Sequence, residues 1–140
     1  MYSKYLEDGE IKPEYTKTFI SIFDGWLGES NLHKLDEVTA NDWSKFNYLI
    51  RKIAQAYEIQ KVDFETESFI QVNDVECLLS SHEESMNKDS SEFTRLFIPN
   101  LDCIISEDWD YTYILWCSNP ESVQKLKPLI EEAGLHSFRD

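Results

Sequence analysis

The residues best suited to chemistry lie together at positions 107–110, where Glu107, Asp108, Trp109 and Asp110 precede an aromatic, apolar run. Several carboxylates can bind a hard cation or act as a general acid and base. A calcium loop also needs a glycine turn and a distal glutamate, and this stretch has neither. We therefore predict no catalytic residues and no metal site here, and expect a solvated acidic hairpin tip.

Other reactive residue types form no motif. The histidines at positions 33, 82 and 136 are far apart, and the cysteines at 77, 103 and 117 include no C-x-x-C pair. The cysteines are expected to be small, buried apolar residues in a reducing compartment. Residues 25–28 lack the length and the lysine of a phosphate-binding loop. The sequence predicts neither an enzyme nor a bound cofactor.

Trp109 is poorly explained by a solvated tip, because an indole among carboxylates exposes apolar area to water. Two interpretations stay open: the ring folds back onto the sheet, or it anchors a protein interface, since Trp is enriched in binding hot spots. Beyond it, residues 111 and 113 should share one strand face and residues 112, 114 and 116 the other. Both faces carry large apolar side chains, so we predict that this strand is central.

The net charge of −14 at pH 7 is concentrated in the middle of the chain. Residues 53–124 contain 15 acidic residues against only Lys61, Lys88 and Arg95. A negative field repels phosphates, so direct binding to nucleic acid or to an anionic membrane surface is not expected. It attracts basic protein surfaces and speeds encounter with them. Many acidic surfaces serve solubility alone, but the uneven distribution favours a partner.

A second group of acids, Asp63, Glu65 and Glu67, alternates along the sequence. In a strand these three side chains would lie on one face together. Most such groups of acidic residues only form a solvated surface. Together with residues 107–110 they would form one negative patch with an aromatic centre, and we predict that these seven residues bind the partner.

Helical patterns occur at both ends of the chain. Residues 13–28 carry apolar side chains at spacings of three and four, which predicts an amphipathic helix beginning at Pro13. Residues 31–37 indicate a short helical turn. A second helix follows a cap at Thr39 or Asn41, with an apolar stripe from residue 43 to 57. A last helix begins at Pro120 and ends near Gly134.

The middle of the chain indicates strands. Alternation at residues 61–65 predicts one strand, and runs at 94–98, 101–106 and 111–117 predict three more, the last two joined as a hairpin by residues 107–110. Residues 69–79 fit a helix slightly better by spacing, whereas their β-branched content favours a strand. The polar run 80–91 is expected to be an exposed loop. Residues 135–138 can add an edge strand.

This order of elements predicts an α+β fold: a single globular domain over residues 1–140, with an antiparallel sheet and helices packed on one face. The hydrophobic content of 41% and the aromatic content of 14% are those of a packed domain. No apolar run has the length of a signal-peptide core or a membrane span, so a cytoplasmic location is expected.

In its design, though not in any motif, the chain resembles small acidic inhibitors of basic proteins that act on nucleic acids, such as immunity proteins, antitoxins and phage-encoded blockers of nucleases. The resemblance implies a protein that covers the cationic groove of a basic toxin or nuclease with carboxylates at phosphate-like positions. The alternative is an interaction or scaffold domain, or a homodimer through an edge strand, whose acidity is incidental. A small enzyme is the third possibility, and no sequence feature requires it.

Overall fold

The computed structural model describes residues 2–8, 10–89, 92–109 and 111–139. Its regular elements within these residues follow in chain order. They are α1 (Tyr2–Tyr5), β1 (Leu6–Glu7), β2 (Glu10–Ile11), β3 (Thr16–Ser21), α2 (Ala40–Ala56), β4 (Gln60–Asp63), β5 (Ser68–Gln71), α3 (His82–Met86), β6 (Arg95–Ile98), β7 (Cys103–Asp108), β8 (Thr112–Cys117), α4 (Pro120–Glu132) and β9 (His136–Phe138). Short 3-10 helices occupy Glu29–Glu37, Val75–Leu78 and Pro99–Leu101.

In the part of the chain that the structure describes, seven strands form one sheet in the order β5-β4-β6-β7-β8-β3-β9, and every neighbouring pair is antiparallel. The separate pair β1-β2 is a small hairpin near the N-terminus. The predicted α+β fold is therefore confirmed. The strand at residues 111–117 is an interior strand, as predicted, and β7 beside it is the middle strand of the seven.

The sheet is buried on both faces, by different parts of the chain. On the helical face, α2 and α4 pack their buried side chains, among them Phe46, Leu49 and Leu126, against the sheet. On the opposite face, Tyr5 and Phe97 join a second cluster under the N-terminal segment. Alternation along β6 and β7 sends successive side chains to the two clusters, which is why these strands have almost no exposed side chains.

The two long helices begin where their sequences predict. Thr39 caps α2 by accepting a hydrogen bond from the Asp42 amide, and the Asp42 carboxylate accepts one from the Thr39 amide. Asn119 accepts a hydrogen bond from the Glu121 amide, with proline in the first turn of α4. These contacts satisfy amides that a helix start leaves without partners. The predicted edge strand at the C-terminus is also present, as β9 paired with β3.

The predicted helix over residues 13–28 is wrong, because the chain there is strand β3 followed by an irregular segment. Ile20 packs on the helical face, while Phe19 packs on the opposite face against Trp26 and Phe138. A strand that is buried on both faces shows no simple alternation of apolar and polar residues. The β-branched residues of β3 were the local signal for a strand.

Two central segments, residues 69–79 and 80–91, have structures that the sequence left open or predicted wrongly. The polar run 80–91 was expected to be a loop, yet it contains α3, which begins with a reciprocal cap between Ser81 and Glu84. The ambiguous run 69–79 divides into β5 and the 3-10 helix Val75–Leu78. Capping residues, rather than an apolar stripe, specify these short helices.

The turn between β6 and β7 ties the N-terminus to the sheet through Asp102. Its carboxylate accepts hydrogen bonds from the hydroxyls of Tyr5 and Ser118, and it lies 3.4 Å from the Lys4 ammonium group. Burial raises the pKa of Asp102, but the hydroxyl donors and the Lys4 charge outweigh it and hold the pKa below its usual value. The ionised form of Asp102 therefore stabilises the fold.

Within the described residues, no helix has the length and apolar character needed to cross a membrane.

Candidate functional site

The predicted hairpin exists, and its tip lies slightly further along the chain than predicted. Strands β7 and β8 pair from Cys103 opposite Cys117 to Asp108 opposite Thr112, so residues 109–111 connect them. Asp110 lies outside the described residues. Because both strands are interior to the sheet, the tip projects from a well-supported part of the fold.

Glu107 is not on the exposed tip, so the expectation that it belongs to a solvated surface is wrong. Only 5% of the residue is exposed. Its Oε1 accepts hydrogen bonds from the Lys88 ammonium group at 2.8 Å and from the Thr94 amide at 2.9 Å. The Glu107 carboxylate points to the helical face of the sheet, where the chain after α3 supplies both donors. The partner of Glu107 in this structure is therefore internal.

Asp108 and Trp109 are the two predicted site residues that the hairpin presents outward. Asp108 is half-buried, and its Oδ1 accepts a hydrogen bond from the Trp109 amide. Trp109 is 59% exposed, while one edge of its ring system rests against Phe93 with the ring centres 4.7 Å apart. The indole is therefore held at one edge by Phe93 and exposed at the other, and its role as an interface anchor stays a prediction.

We call Asp108 and Trp109 together the ridge. Three depressions among the described residues meet at it. The largest, of about 690 Å³, lies on the sheet face opposite the long helices and includes Lys17 and Arg95. A second, of about 280 Å³, is lined by Trp26 and Leu32. A third, of about 240 Å³, lies towards α3. A partner that contacts the ridge can therefore insert side chains on more than one side of it.

Asp63, Glu65 and Glu67 do not share one strand face, so that expectation is wrong. Only Asp63 belongs to β4, and its carboxylate accepts hydrogen bonds from the Glu65 and Thr66 amides, which closes the following turn. Glu65 and Glu67 are exposed in this turn, and Glu67 has a left-handed backbone with φ of 50°. Because the Asp63 side chain closes this turn, strand β4 ends at Asp63, and the alternating acidic residues that follow it do not belong to a strand.

The two acidic groups do lie at the same end of the sheet. Lys61 pairs with Leu96, and Arg95 pairs with Ser106, so the last residues of β4 and β7 point the same way. Strand β6 separates them, which places the two turns two strand spacings apart, or about 10 Å. The tertiary structure thus brings together acids that are over 40 residues apart in sequence.

A positive charge interrupts the acidic patch that the sequence suggested. Arg95 belongs to the intervening strand, and its guanidinium group lies 4.8 Å from the ring centre of Phe64. Lys17, on β3, lies 4.9 Å from the ring centre of Trp116. At this end of the sheet Arg95 therefore lies between the two acidic turns, whereas Lys17, opposite Trp116 and level with Ile104, lies towards the other end of the strands.

Sequence reasoning missed several exposed apolar residues close to the ridge. Trp26 is 59% exposed and Leu32 is 51% exposed, and both share a depression with the ridge. The sequence placed Trp26 on the buried stripe of a helix that does not exist. A local signal was available, because Gly25 and Gly28 bracket this tryptophan and Gly28 adopts φ of 69°.

Two of the three cysteines meet in the core, and the third lies at the surface. The thiols of Cys103 and Cys117 lie 2.7 Å apart in the core. The hydrogen bond with Cys103 and burial both raise the pKa of the Cys117 thiol, whereas the same hydrogen bond lowers the pKa of Cys103 despite burial, so a thiolate is disfavoured at Cys117 only. Cys77 is exposed, so the expectation that all three cysteines are buried is wrong. Within the described part of the chain, no three His, Cys, Asp or Glu side chains are grouped as metal ligands would be.

Comparison of the chain with family models, with curated proteins and with solved structures finds no match.

Proposed function

We propose that this chain is a binding protein that neutralises a basic protein partner, such as a toxin or nuclease, by covering its cationic groove. The observation that carries the proposal is the exposed indole of Trp109, 59% accessible beside the Asp108 carboxylate on a hairpin from the middle of the sheet. Exposed Trp side chains on a rigid support are typical binding anchors. Leu32 and Trp26 extend the apolar area around it.

The charge distribution supports a basic partner. The chain has a net charge of −14, and the turns that carry Asp108, Glu65 and Glu67 lie at one end of the sheet. Carboxylates around an apolar centre match a surface that normally binds phosphates, and the long-range field speeds encounter. In this proposal the protein acts in the cytoplasm, has no catalytic activity and binds no nucleic acid directly.

The test is capture of partners from the native host with purified chain at about 0.05 M and about 0.5 M salt, where screening differs strongly. Asp108→Lys should weaken recovery of a basic partner about 30-fold or more, because losing a hot-spot residue costs about 2 kcal/mol or more. Glu58→Lys is the matched control. It makes the same change in net charge at an exposed residue before β4, at the far end of that strand from Asp63.

Three outcomes separate the possibilities. A basic partner that is lost with salt and with Asp108→Lys, but kept with Glu58→Lys, supports neutralisation at the ridge. Equal losses with both variants mean that only the overall field matters, and the ridge is then not the binding site. Recovery of no basic partner contradicts the proposal.

A second candidate, self-association through the edge strand β5, is favoured by Ile70. This residue is 46% exposed on a strand whose outer side has no neighbour in the described part of the sheet. An exposed apolar residue on a free edge can pair with a second copy. Sedimentation of the wild type and of Ile70→Lys should then show a dimer that persists in salt and is lost in the variant.

A further inference from the structure

We propose that the depression on the α3 side of the ridge receives a single arginine side chain of the partner. This inference rests on the proposed function and names the group that the site recognises. The cavity measures about 240 Å³, below the range of about 300–1,000 Å³ that is typical of small-molecule sites. Its size therefore suits one inserted side chain.

The carboxylates around this cavity leave an uncompensated negative charge. Asp36, Glu107 and Asp108 all line it. Glu107 is neutralised by Lys88 at 2.8 Å, whereas the ion pairs found among the described residues include neither Asp36 nor Asp108. Asp36 comes from the 3-10 helix Glu29–Glu37 and Asp108 from β7, so two distant parts of the chain converge on one cavity. An entering cation would meet the Asp36 carboxylate, with Asp108 at the rim that this cavity shares with the other two depressions.

Aromatic rings form the other walls of the cavity. Phe93 and Trp109 meet edge to face, with ring centres 4.7 Å apart and planes at 72°. Trp43 and Tyr111 form a second such pair at 6.2 Å. All four rings line the cavity. The negative face of an aromatic ring attracts a cation, and the attraction grows where water is excluded.

These two features together select arginine over lysine. A guanidinium group is flat, so it can stack on an indole while it donates two parallel hydrogen bonds to a carboxylate. An ammonium group is more strongly hydrated and cannot do both. Trp109 and Asp108, adjacent in sequence on the ridge, offer the ring and the carboxylate side by side.

The largest depression, on the other side of the ridge, does not offer the same environment. It shares Asp108 and Trp109, but Lys17 and Arg95 line it as well. These cations would repel an incoming arginine. The difference in charge between the two depressions therefore determines on which side of Trp109 the basic side chain enters.

The test uses short acetylated, amidated Gly-Arg-Gly peptides and matched peptides in which neutral citrulline replaces arginine. Binding is followed through the NMR signals of the indole N–H groups, with Trp109→Phe identifying that of Trp109. We expect the arginine peptide to shift the Trp109 signal and to bind about tenfold more tightly than the citrulline peptide, since citrulline has the same shape without the charge.

Variants locate the site. Asp36→Asn should weaken arginine-peptide binding several-fold, because it removes a charge that lines only this cavity among the three that meet at the ridge. Lys17→Ala, on the other side, should leave it unchanged or slightly stronger. Equal binding of the two peptides, or no effect of Asp36→Asn on a correctly folded variant, would overturn the inference.

Failure of this inference and failure of the proposed function give different results. If a basic partner is captured through the ridge but the arginine peptide does not bind at Asp36, the cavity assignment is wrong and the proposed function stands. If the peptide binds as expected but no basic partner is captured, the cavity assignment is supported and the proposed function is overturned.

Discussion

The ion pair between Lys88 and Glu107 predicts a large and non-additive response to mutation. The two charged atoms are 2.8 Å apart, and the side chains are only 13% and 3% exposed. At an effective dielectric constant of about 20, their attraction is about 6 kcal/mol. Removing the charges from water costs several kcal/mol for each ion. The intact pair therefore adds little net stability, whereas one member alone would be a buried, uncompensated charge.

We expect Lys88→Met and Glu107→Gln each to lower the free energy of unfolding by about 3–5 kcal/mol. This is a substantial part of the roughly 5–15 kcal/mol that stabilises a typical domain. The double variant should recover at least half of the summed loss, because neither neutral side chain then faces an unpaired charge. A matched control is Lys45→Met, which breaks a more exposed pair with Asp42 and should have a much smaller effect.

Urea unfolding followed by tryptophan fluorescence and by far-ultraviolet circular dichroism measures these differences. A loss of about 3 kcal/mol lowers the midpoint by roughly 1.5–2 M for a typical slope of about 1.5–2 kcal/mol per M. If the effects of Lys88→Met and Glu107→Gln simply add, or if neither exceeds the effect of Lys45→Met, the pair behaves as a surface ion pair. Glu107 would then not be committed to the fold and would be available to a partner.

Three further predictions concern the fold. Asp102→Asn should lower the free energy of unfolding by about 1 kcal/mol at neutral pH, a figure that allows for partial exposure of the carboxylate. Because the folded-state pKa of Asp102 is lowered by its hydroxyl donors and by a lysine despite burial, this stabilisation is present above the unfolded pKa. It should vanish as the pH falls through the folded pKa, which acid titration of wild type and variant would show. Thr39→Ala should lower the free energy of unfolding measured in urea by about 1 kcal/mol, because it removes the α2 cap. Ellman's reagent should modify Cys77 rapidly in the native protein and reach Cys103 and Cys117 only on unfolding; rapid reaction of three thiols would contradict their burial.

Local signals in the sequence predicted α2, α4 and the β7-β8 hairpin correctly. Thr39 and Asn119 are caps whose partners lie within three residues, so neither depends on the rest of the fold. The cap of α3 at Ser81 is equally local, but the polar segment around it has no apolar stripe and therefore favoured a loop. A helix cap can be predicted from the sequence when both of its partners are close together in the chain.

Strand β3 shows where local signals fail. Phe19 and Trp26 have helical spacing in the sequence, yet their rings meet at 4.7 Å because the chain turns back over the sheet. Ile20 is buried in the core that the long helices cover, between the neighbouring strands β8 and β9. Which element such a segment forms depends on neighbours far along the chain.

By itself the sequence determined the α+β class, the acidity of residues 53–124 and the placement of Trp109 between acidic residues. These features follow from composition, hydrophobic periodicity and neighbouring residues in the chain. Only the tertiary structure decided which carboxylates are already paired within the fold. It buried Glu107 against Lys88, and it brought Asp36 to the same cavity as Asp108. The physical reason is that the charge of a site depends on which side chains meet in space and which ions are already paired, and both are settled by packing between distant segments.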